Sequence, residues 1–259
     1  FIVANVPYAT IFDSGDVDGF VAAIKKSETL EIKEKCIDVF IEKYSRSNGG
    51  MALNVCNNIK ALGIECDILH NKEQIKKTRY VDHPTNHLFI RIDSDESKID
   101  RIDSKFLEKD FLLKYDAIVI SDYNKGFLSR EDIEKICYYH PLTFMDTKKK
   151  LGRWSEDCKW IKINTPEYNS TKDYIKDRMY LYEESLVVTM GTQGCKYKDK
   201  MYPVSKVEIK DLSGAGDTFL AGFVTKYLQT SNIDESLNFA NKCATIVVQQ
   251  KGVNVIDGL

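Results

Sequence analysis

A doubly wound, mostly parallel α/β sheet flanked by helices is the fold that this sequence predicts, and three observations point to it. From about residue 50 onward, short apolar runs alternate with stretches of helical periodicity. Runs such as Ala117-Ile118-Val119-Ile120 are apolar without interruption, which suits strands covered on both faces. Asp122, Asp146, Asn164 and Gly191 each close such a run. Parallel sheets of this kind bind their ligands at the carboxyl ends of the strands.

The elements follow in order. Phe1–Phe12 reads as a strand and turn, and Glu28–Tyr44 is rich in helix formers. The joins around Phe20, Lys35 and Phe40–Tyr44 carry no clear turn chemistry, so residues 1–35 are left unassigned and residues 36–259 are read as one domain. Met51–Leu62 predicts a helix behind Gly49-Gly50, and Glu65–Leu69 a short strand. Thr78–Val81 and His87–Ile92 predict two strands around the turn-rich Asp82–Asn86. Ala117–Ser121 is the next strand, ending in Asp122-Tyr123-Asn124-Lys125-Gly126. Ser129–Tyr139 is a helix whose Ser129 and Asp132 offer a capping-box start. Strands at Leu142–Asp146, Trp160–Asn164 and Leu186–Met190 precede helices at Asp217–Leu228 and Ile233–Gln249.

Composition narrows the class. The 259 residues suffice for one large α/β domain, and 43% hydrophobic with 11% aromatic residues marks a globular chain. A net charge of −2 gives no reason to expect nucleic acid, and Lys148-Lys149-Lys150 reads as a solvated loop. Seven cysteines (Cys36, Cys56, Cys66, Cys137, Cys158, Cys195 and Cys243) are dispersed, never in a Cys-x-x-Cys pair, and mostly within apolar runs. They read as buried thiols of a reducing, cytoplasmic protein. No apolar stretch approaches the roughly 18 residues of a membrane span, and no signal peptide is recognisable. His70, His83, His87 and His140 lack metal-site spacing.

The chemistry concentrates in Asp211-Leu212-Ser213-Gly214-Ala215-Gly216-Asp217. Glycines flanking an alanine let backbone N–H groups approach an anion, and the helical spacing from Phe219 onward puts this turn at a helix N-terminus. Asp217 then sits beside an anion hole, as transfer of a phosphoryl group to an alcohol requires: a base for the hydroxyl proton and donors for the charge. An ordinary helix start uses the same residue types. No Gly-x-x-x-x-Gly-Lys-Ser/Thr is present, which excludes a P-loop enzyme. Phe219 stands where a dinucleotide fingerprint wants Gly or Ala, which argues against an NAD enzyme.

Together with four further segments, this loop resembles the ribokinase-like (PfkB) carbohydrate kinases. Gly49-Gly50-Met51-Ala52-Leu53-Asn54 is similar to that family's sugar-site segment, and Asn164-Thr165-Pro166-Glu167 to its Asn-x-x-Glu. Val188–Gly194 is similar to its nucleotide-side strand and glycine turn, and Phe239–Ala244 to its late helix. Within the family, Ile120–Gly126, Leu88–Asp93 and Asp146-Thr147-Lys148 resemble the heptose-7-phosphate kinases that feed ADP-heptose synthesis, some of which carry a fused nucleotidyltransferase domain. Leu212 departs from the Thr, Val or Ser usual there, and the sequence predicts a reduced or missing β-lid. Such a reduction would weaken water exclusion and the homodimer contact that the resemblance implies.

The resemblance implies ATP and Mg²⁺. Asp217 is the base, with Gly214, Ala215 and Gly216 as the anion hole. Thr189, Gly191, Gly194, Asn241 and Gly252 fall on the nucleotide, and Asn164 and Glu167 on magnesium through water. Gly49, Gly50, Asp38, Asn54 and Asp122 fall on the sugar; Asn54 serves equally to satisfy loop backbone. Arg91, Lys125 and Lys148 are candidates for a substrate phosphate, or else surface charge. The expected partner is a small sugar or sugar phosphate, with neither nucleic acid nor membrane. The rivals are a kinase of an unphosphorylated sugar or nucleoside, and a non-catalytic sugar- or nucleotide-binding relative.

Overall fold

The computed structural model describes residues 2–4, 7–14, 42–48, 50–73, 75–82, 88–93 and 99–257. In chain order the strands are β1 (Ile2–Ala4), β2 (Pro7–Ser14), β3 (Glu42–Asn48), β4 (Ile68–His70), β5 (Ile75–Asp82), β6 (Leu88–Asp93), β7 (Ile118–Asp122), β8 (Thr143–Thr147), β9 (Trp160–Asn164), β10 (Leu186–Thr189), β11 (Cys195–Tyr197) and β12 (Lys200–Tyr202). The helices are α1 (Gly50–Ala61), α2 (Lys109–Leu112), α3 (Arg130–Tyr139), α4 (Thr165–Lys176), α5 (Met179–Tyr182), α6 (Ala215–Thr230) and α7 (Ile233–Val247).

The continuous apolar runs become the middle of an eight-stranded sheet of order β12-β11-β10-β9-β8-β7-β1-β4. From β10 to β4 all pairings are parallel, and the β11–β12 hairpin is antiparallel. Register aligns the strand ends: Asp122 lies opposite Thr147, Asp146 opposite Lys162, and Asn164 opposite Thr189. Every residue of β7 and β8 is buried, as two-sided coverage demands. One cluster joins Ile118, Ile120, Met145 and Ile161 to Ile133 and Ile136 of α3. In another, Phe144 and Trp160 meet Phe223 and Tyr227 of α6 edge to face, with ring centroids 5.2–5.8 Å apart. Helices α6 and α7 approach closely: a Cβ on Gly222 would lie 2.8 Å from Cys243 Sγ, so only glycine fits.

The chain divides into two compact units, Phe1–Pro7 with Gly49–Ile75 and Asp95–Leu259, and Tyr8–Asn48 with Lys76–Ser94. The second contains a sheet of order β3-β2-β5-β6 with antiparallel β2–β3 and β5–β6 pairs. This corrects the expectation that such β-structure is reduced or missing. The polar stretch Glu42–Asn48 shows no apolar alternation, so β3 was hidden in a run of helix formers. Ile2–Ala4, within the unassigned 1–35, is a strand of the main sheet. The β11–β12 hairpin and α4 are additions to the predicted elements. The Ser129–Asp132 capping box forms as the sequence predicts.

Cys56, Cys66, Cys137, Cys158, Cys195 and Cys243 are buried free thiols, and Cys36 lies outside the described residues. Among the described residues no helix is long and apolar enough to cross a membrane.

Candidate active site

A cavity of about 920 Å³ opens at the carboxyl ends of β8, β9 and β10, between the starts of α4 and α6 and one face of α7. Its lining belongs wholly to the first unit. Of the four residues expected along one strand-end rim, Asp146, Asn164 and Gly191 line the cavity and Asp122 does not.

The turn before α6 is built around Gly214, whose φ of +81° is left-handed. A Cβ there would also come within 2.8 Å of Asn54 Nδ2. No side chain caps this helix. The Ala215 N–H reaches Leu212 O at 3.3 Å, while those of Gly214 and Gly216 find no acceptor among the described residues. Open N–H groups at the positive end of a 16-residue helix suit an anion. Asp211 fixes the approach to the turn by accepting from Ser213 N at 2.8 Å and Gly252 N at 2.9 Å. Gly252, expected at the nucleotide, therefore braces this loop and is absent from the cavity lining. Leu212 lies on the cavity wall, 63% exposed.

Asp217 lines the cavity one turn into this helix start. Burial pushes its carboxyl up to about 7, and the negative charge of Asp146 adds to the rise. The Asn54 hydrogen bond and the ammonium groups of Lys162 and Lys148 pull the other way. Asn54 donates to Asp217 Oδ2 at 3.0 Å, and Asn58 holds Asn54 by donating to its backbone O at 2.8 Å and its Oδ1 at 3.0 Å. A carboxylate poised near neutrality in a cavity suits proton abstraction. Asn54, expected at sugar hydroxyls, is thus bonded to Asp217, and it stands outside the cavity lining. Gly50 opens α1 at φ +71°, while Gly49 and Asp38 lie outside the described residues.

Two lysines act on the Asp217 carboxyl. Lys162 Nζ lies 2.6 Å from Asp146 Oδ2, both side chains being buried. Lys148 Nζ is 4.0 Å from Asp146 Oδ1 and ion-paired with Glu167. Burial works against the Lys148 charge, but Asp146 and Glu167 outweigh it and raise its pKa. Both line the cavity; the sequence reading singled out Lys148 and not Lys162. The signal for Lys162 is a lysine inside the otherwise apolar Trp160-Ile161-Lys162-Ile163 strand.

Asn164 and Glu167 start α4 as a reciprocal capping box. Asn164 Oδ1 accepts from Glu167 N at 2.9 Å, and Glu167 Oε2 accepts from Asn164 N at 2.8 Å. Glu167 Oε1 accepts from Asn164 Nδ2 at 3.0 Å and from Lys148. Asn164 lines the cavity and Glu167 stands behind it.

The remaining candidates separate. Thr189, Gly191, Gly194 and Asn241 line the cavity. Asn241 spends its amide donors on Tyr202 O at 2.7 Å and Cys195 Sγ at 3.8 Å, tying α7 to the hairpin. Gly194 has φ +89°, and a side chain there would strike Tyr202 O. Asp122, expected at the sugar, has a buried carboxylate that accepts from Lys149 Nζ at 2.6 Å, Thr147 Oγ1 at 2.8 Å and Asn124 N at 3.0 Å, and it stands outside the cavity lining. Lys125 is likewise outside the lining. Arg91 pairs with Asp93 on exposed β6 of the second unit.

The doubly wound sheet and its strand-end cavity define a ribokinase-like α/β protein. The model of the pfkB family of carbohydrate kinases matches residues 116–257, and the chain belongs to this family. The family is one of carbohydrate kinases. Among curated relatives it is 27% identical over 252 residues to the bifunctional protein HldE of a Nitratiruptor species, covering 78% of this chain and 54% of the relative. It is 27% identical over 281 residues to the bifunctional protein HldE of a Helicobacter pylori strain, covering 88% and 60%. The chain thus spans little more than half of these relatives. Among solved structures, a ribokinase from Thermotoga maritima matches with TM-score 0.68 and 14% identity, covering 97% of this chain and 94% of that one. Arabidopsis thaliana ribokinase complexed with ribose and ATP matches with TM-score 0.65 and 12% identity, covering 97% and 93%.

Proposed function

We propose that this protein transfers the γ-phosphoryl group of ATP to a hydroxyl of a sugar phosphate, with a heptose-7-phosphate as the acceptor class. The observation that carries the reading is Asp217, held by Asn54, beside an uncapped glycine turn in a strand-end cavity. Support for a phosphorylated acceptor comes from Lys148 on the cavity wall and from the heptose-kinase-like segments Ile120–Gly126 and Asp146–Lys148.

In this mechanism ATP phosphates lie against the N–H groups of Gly214 and Gly216, where the helix end offsets their charge. Asp217 accepts the proton of the attacking hydroxyl, kept in its ionised, oriented form by the Asn54 amide. Positioning and charge stabilisation supply most of the rate in such transfers. Magnesium, when bound, would neutralise phosphate charge. Both Glu167 oxygens are engaged, and among the described residues no group of three His, Cys, Asp or Glu could hold a metal. These residues do not form a direct cage for the ion, and no step here passes through it.

The test is ADP release from purified protein with ATP and a panel of heptose-7-phosphate, fructose-6-phosphate, ribose and adenosine. Turnover with heptose-7-phosphate and none with ribose or adenosine is expected. Turnover confined to unphosphorylated acceptors overturns the acceptor class, and release of ADP with none of them overturns the kinase reading.

A further inference from the structure

Lys162 stands where the physics of a buried strand asks for an apolar side chain. Its chain neighbours Ile161 and Ile163 are core residues, and its own side chain is 4% exposed. Burying an ammonium is costly unless its donors are used. An ammonium has three donors. One goes to Asp146 Oδ2 at 2.6 Å, and among the described residues Lys162 finds no second acceptor. Asp146 Oδ1 is buried without a hydrogen-bond partner as well. The pair is therefore only half satisfied, although both residues line the cavity.

What lies beside the open donors decides what they are for. A Cβ on Gly216 would sit 2.9 Å from Lys162 Nζ, so the absent side chain leaves the ammonium room against the anion-binding turn. Lys162 also acts on Asp217, whose carboxyl its charge helps to keep ionised. A cation, open backbone donors and a base thus share one end of the cavity.

We infer that Lys162 is a catalytic residue of the proposed transfer, its ammonium contacting the phosphoryl oxygens as they pass from nucleotide to acceptor. This rests on the kinase reading above. In the step, the acceptor oxygen forms a bond to the γ-phosphorus, and the bond from that phosphorus to the bridging oxygen breaks, its electron pair leaving with ADP. The hydroxyl proton goes to Asp217. The Lys162 ammonium offsets charge on the equatorial oxygens, while Asp146 aims it.

Lys162→Met alone strands a buried Asp146 carboxylate and endangers the fold, so the decisive variant is Lys162→Met with Asp146→Asn, which removes both charges. Folding is checked by circular dichroism and thermal melting, affinities for ADP and for the non-hydrolysable analogue AMP-PNP by calorimetry, and turnover with ATP and heptose-7-phosphate. The wild type is expected to bind AMP-PNP more tightly than ADP, and absence of that preference overturns the role of Lys162. The double variant is expected to fold, to keep its ADP affinity, to lose that preference, and to drop kcat by roughly 10²-fold at unchanged acceptor KM. Lys162→Arg, which retains the charge, is expected to keep the AMP-PNP preference. A folded double variant with wild-type preference and kcat overturns the role of Lys162 alone, as does loss of the preference in a folded Lys162→Arg protein. Wild-type protein that binds neither nucleotide overturns the kinase reading itself.

Discussion

Helix α4 enters the cavity behind Asn164, whose side chain and that of Glu167 close on each other's backbone N–H groups, whereas α6 enters behind a left-handed Gly214 with no side-chain cap. Both helices carry the same end dipole, but only α6 leaves its N–H groups to the cavity. Self-capping spends a helix end on stability; leaving it bare reserves it for an anion. Substitutions at α6 should therefore be felt in rate, and those at α4 in stability.

The largest effect is expected at Asp217. Asp217→Asn should lower kcat by about 10²–10⁴-fold in the ADP-release assay. The native carboxyl keeps its proton up to about 7, against an ordinary value of 3.8. The contribution of this group to stability is thus complete below the unfolded value and lost as pH rises through 7. Asp217→Asn should accordingly raise the melting temperature more at pH 8 than at pH 5; an equal shift at both would detach the carboxyl from its burial.

Gly214→Ala comes next. A left-handed φ costs an alanine about 1–2 kcal/mol, and its Cβ would press on Asn54 Nδ2, 2.8 Å away. Displacing the turn and the base together should cost up to roughly 10²-fold in kcat, with a lowered urea midpoint. Asn54→Ala removes the hydrogen bond that holds the Asp217 pKa down, so the acid limb of kcat/KM, expected near pH 7, should move to higher pH. An unmoved limb would assign that titration to another group. The smallest catalytic effect belongs to α4: Asn164→Ala should cost about 1 kcal/mol in chemical denaturation, with the larger share of its effect in stability rather than kcat.

Much of the main sheet was legible because two-sided burial writes itself as unbroken apolar runs. Trp160–Asn164 matches β9 end to end, and the Ser129 capping box matches α3. Helix α4 was not read, because its Asn164-Thr165-Pro166-Glu167 start looked like a ligand motif and its interior is polar. In the second unit the polar β3 offered no period to read. At the site, the loop Asp211–Asp217 looked like any helix start until Asn164–Glu167 and Gly191–Gly194 were read in order before it. Asp122 and Lys162 were harder, since both are charges set by long-range pairing. Only the partner strands reveal that Lys149 neutralises the first and that the second faces the cavity.

The six buried thiols have a use beyond packing. Cys56 lies on α1, Cys137 on α3, Cys195 on β11 and Cys243 on α7, so nearly every layer of the first unit carries a native chemical reporter. A thiol reagent reaches each one only when its own surroundings open. Labelling rates followed position by position would map which layers loosen first, and whether nucleotide tightens the α6–α7 pair around Cys243 without touching Cys137.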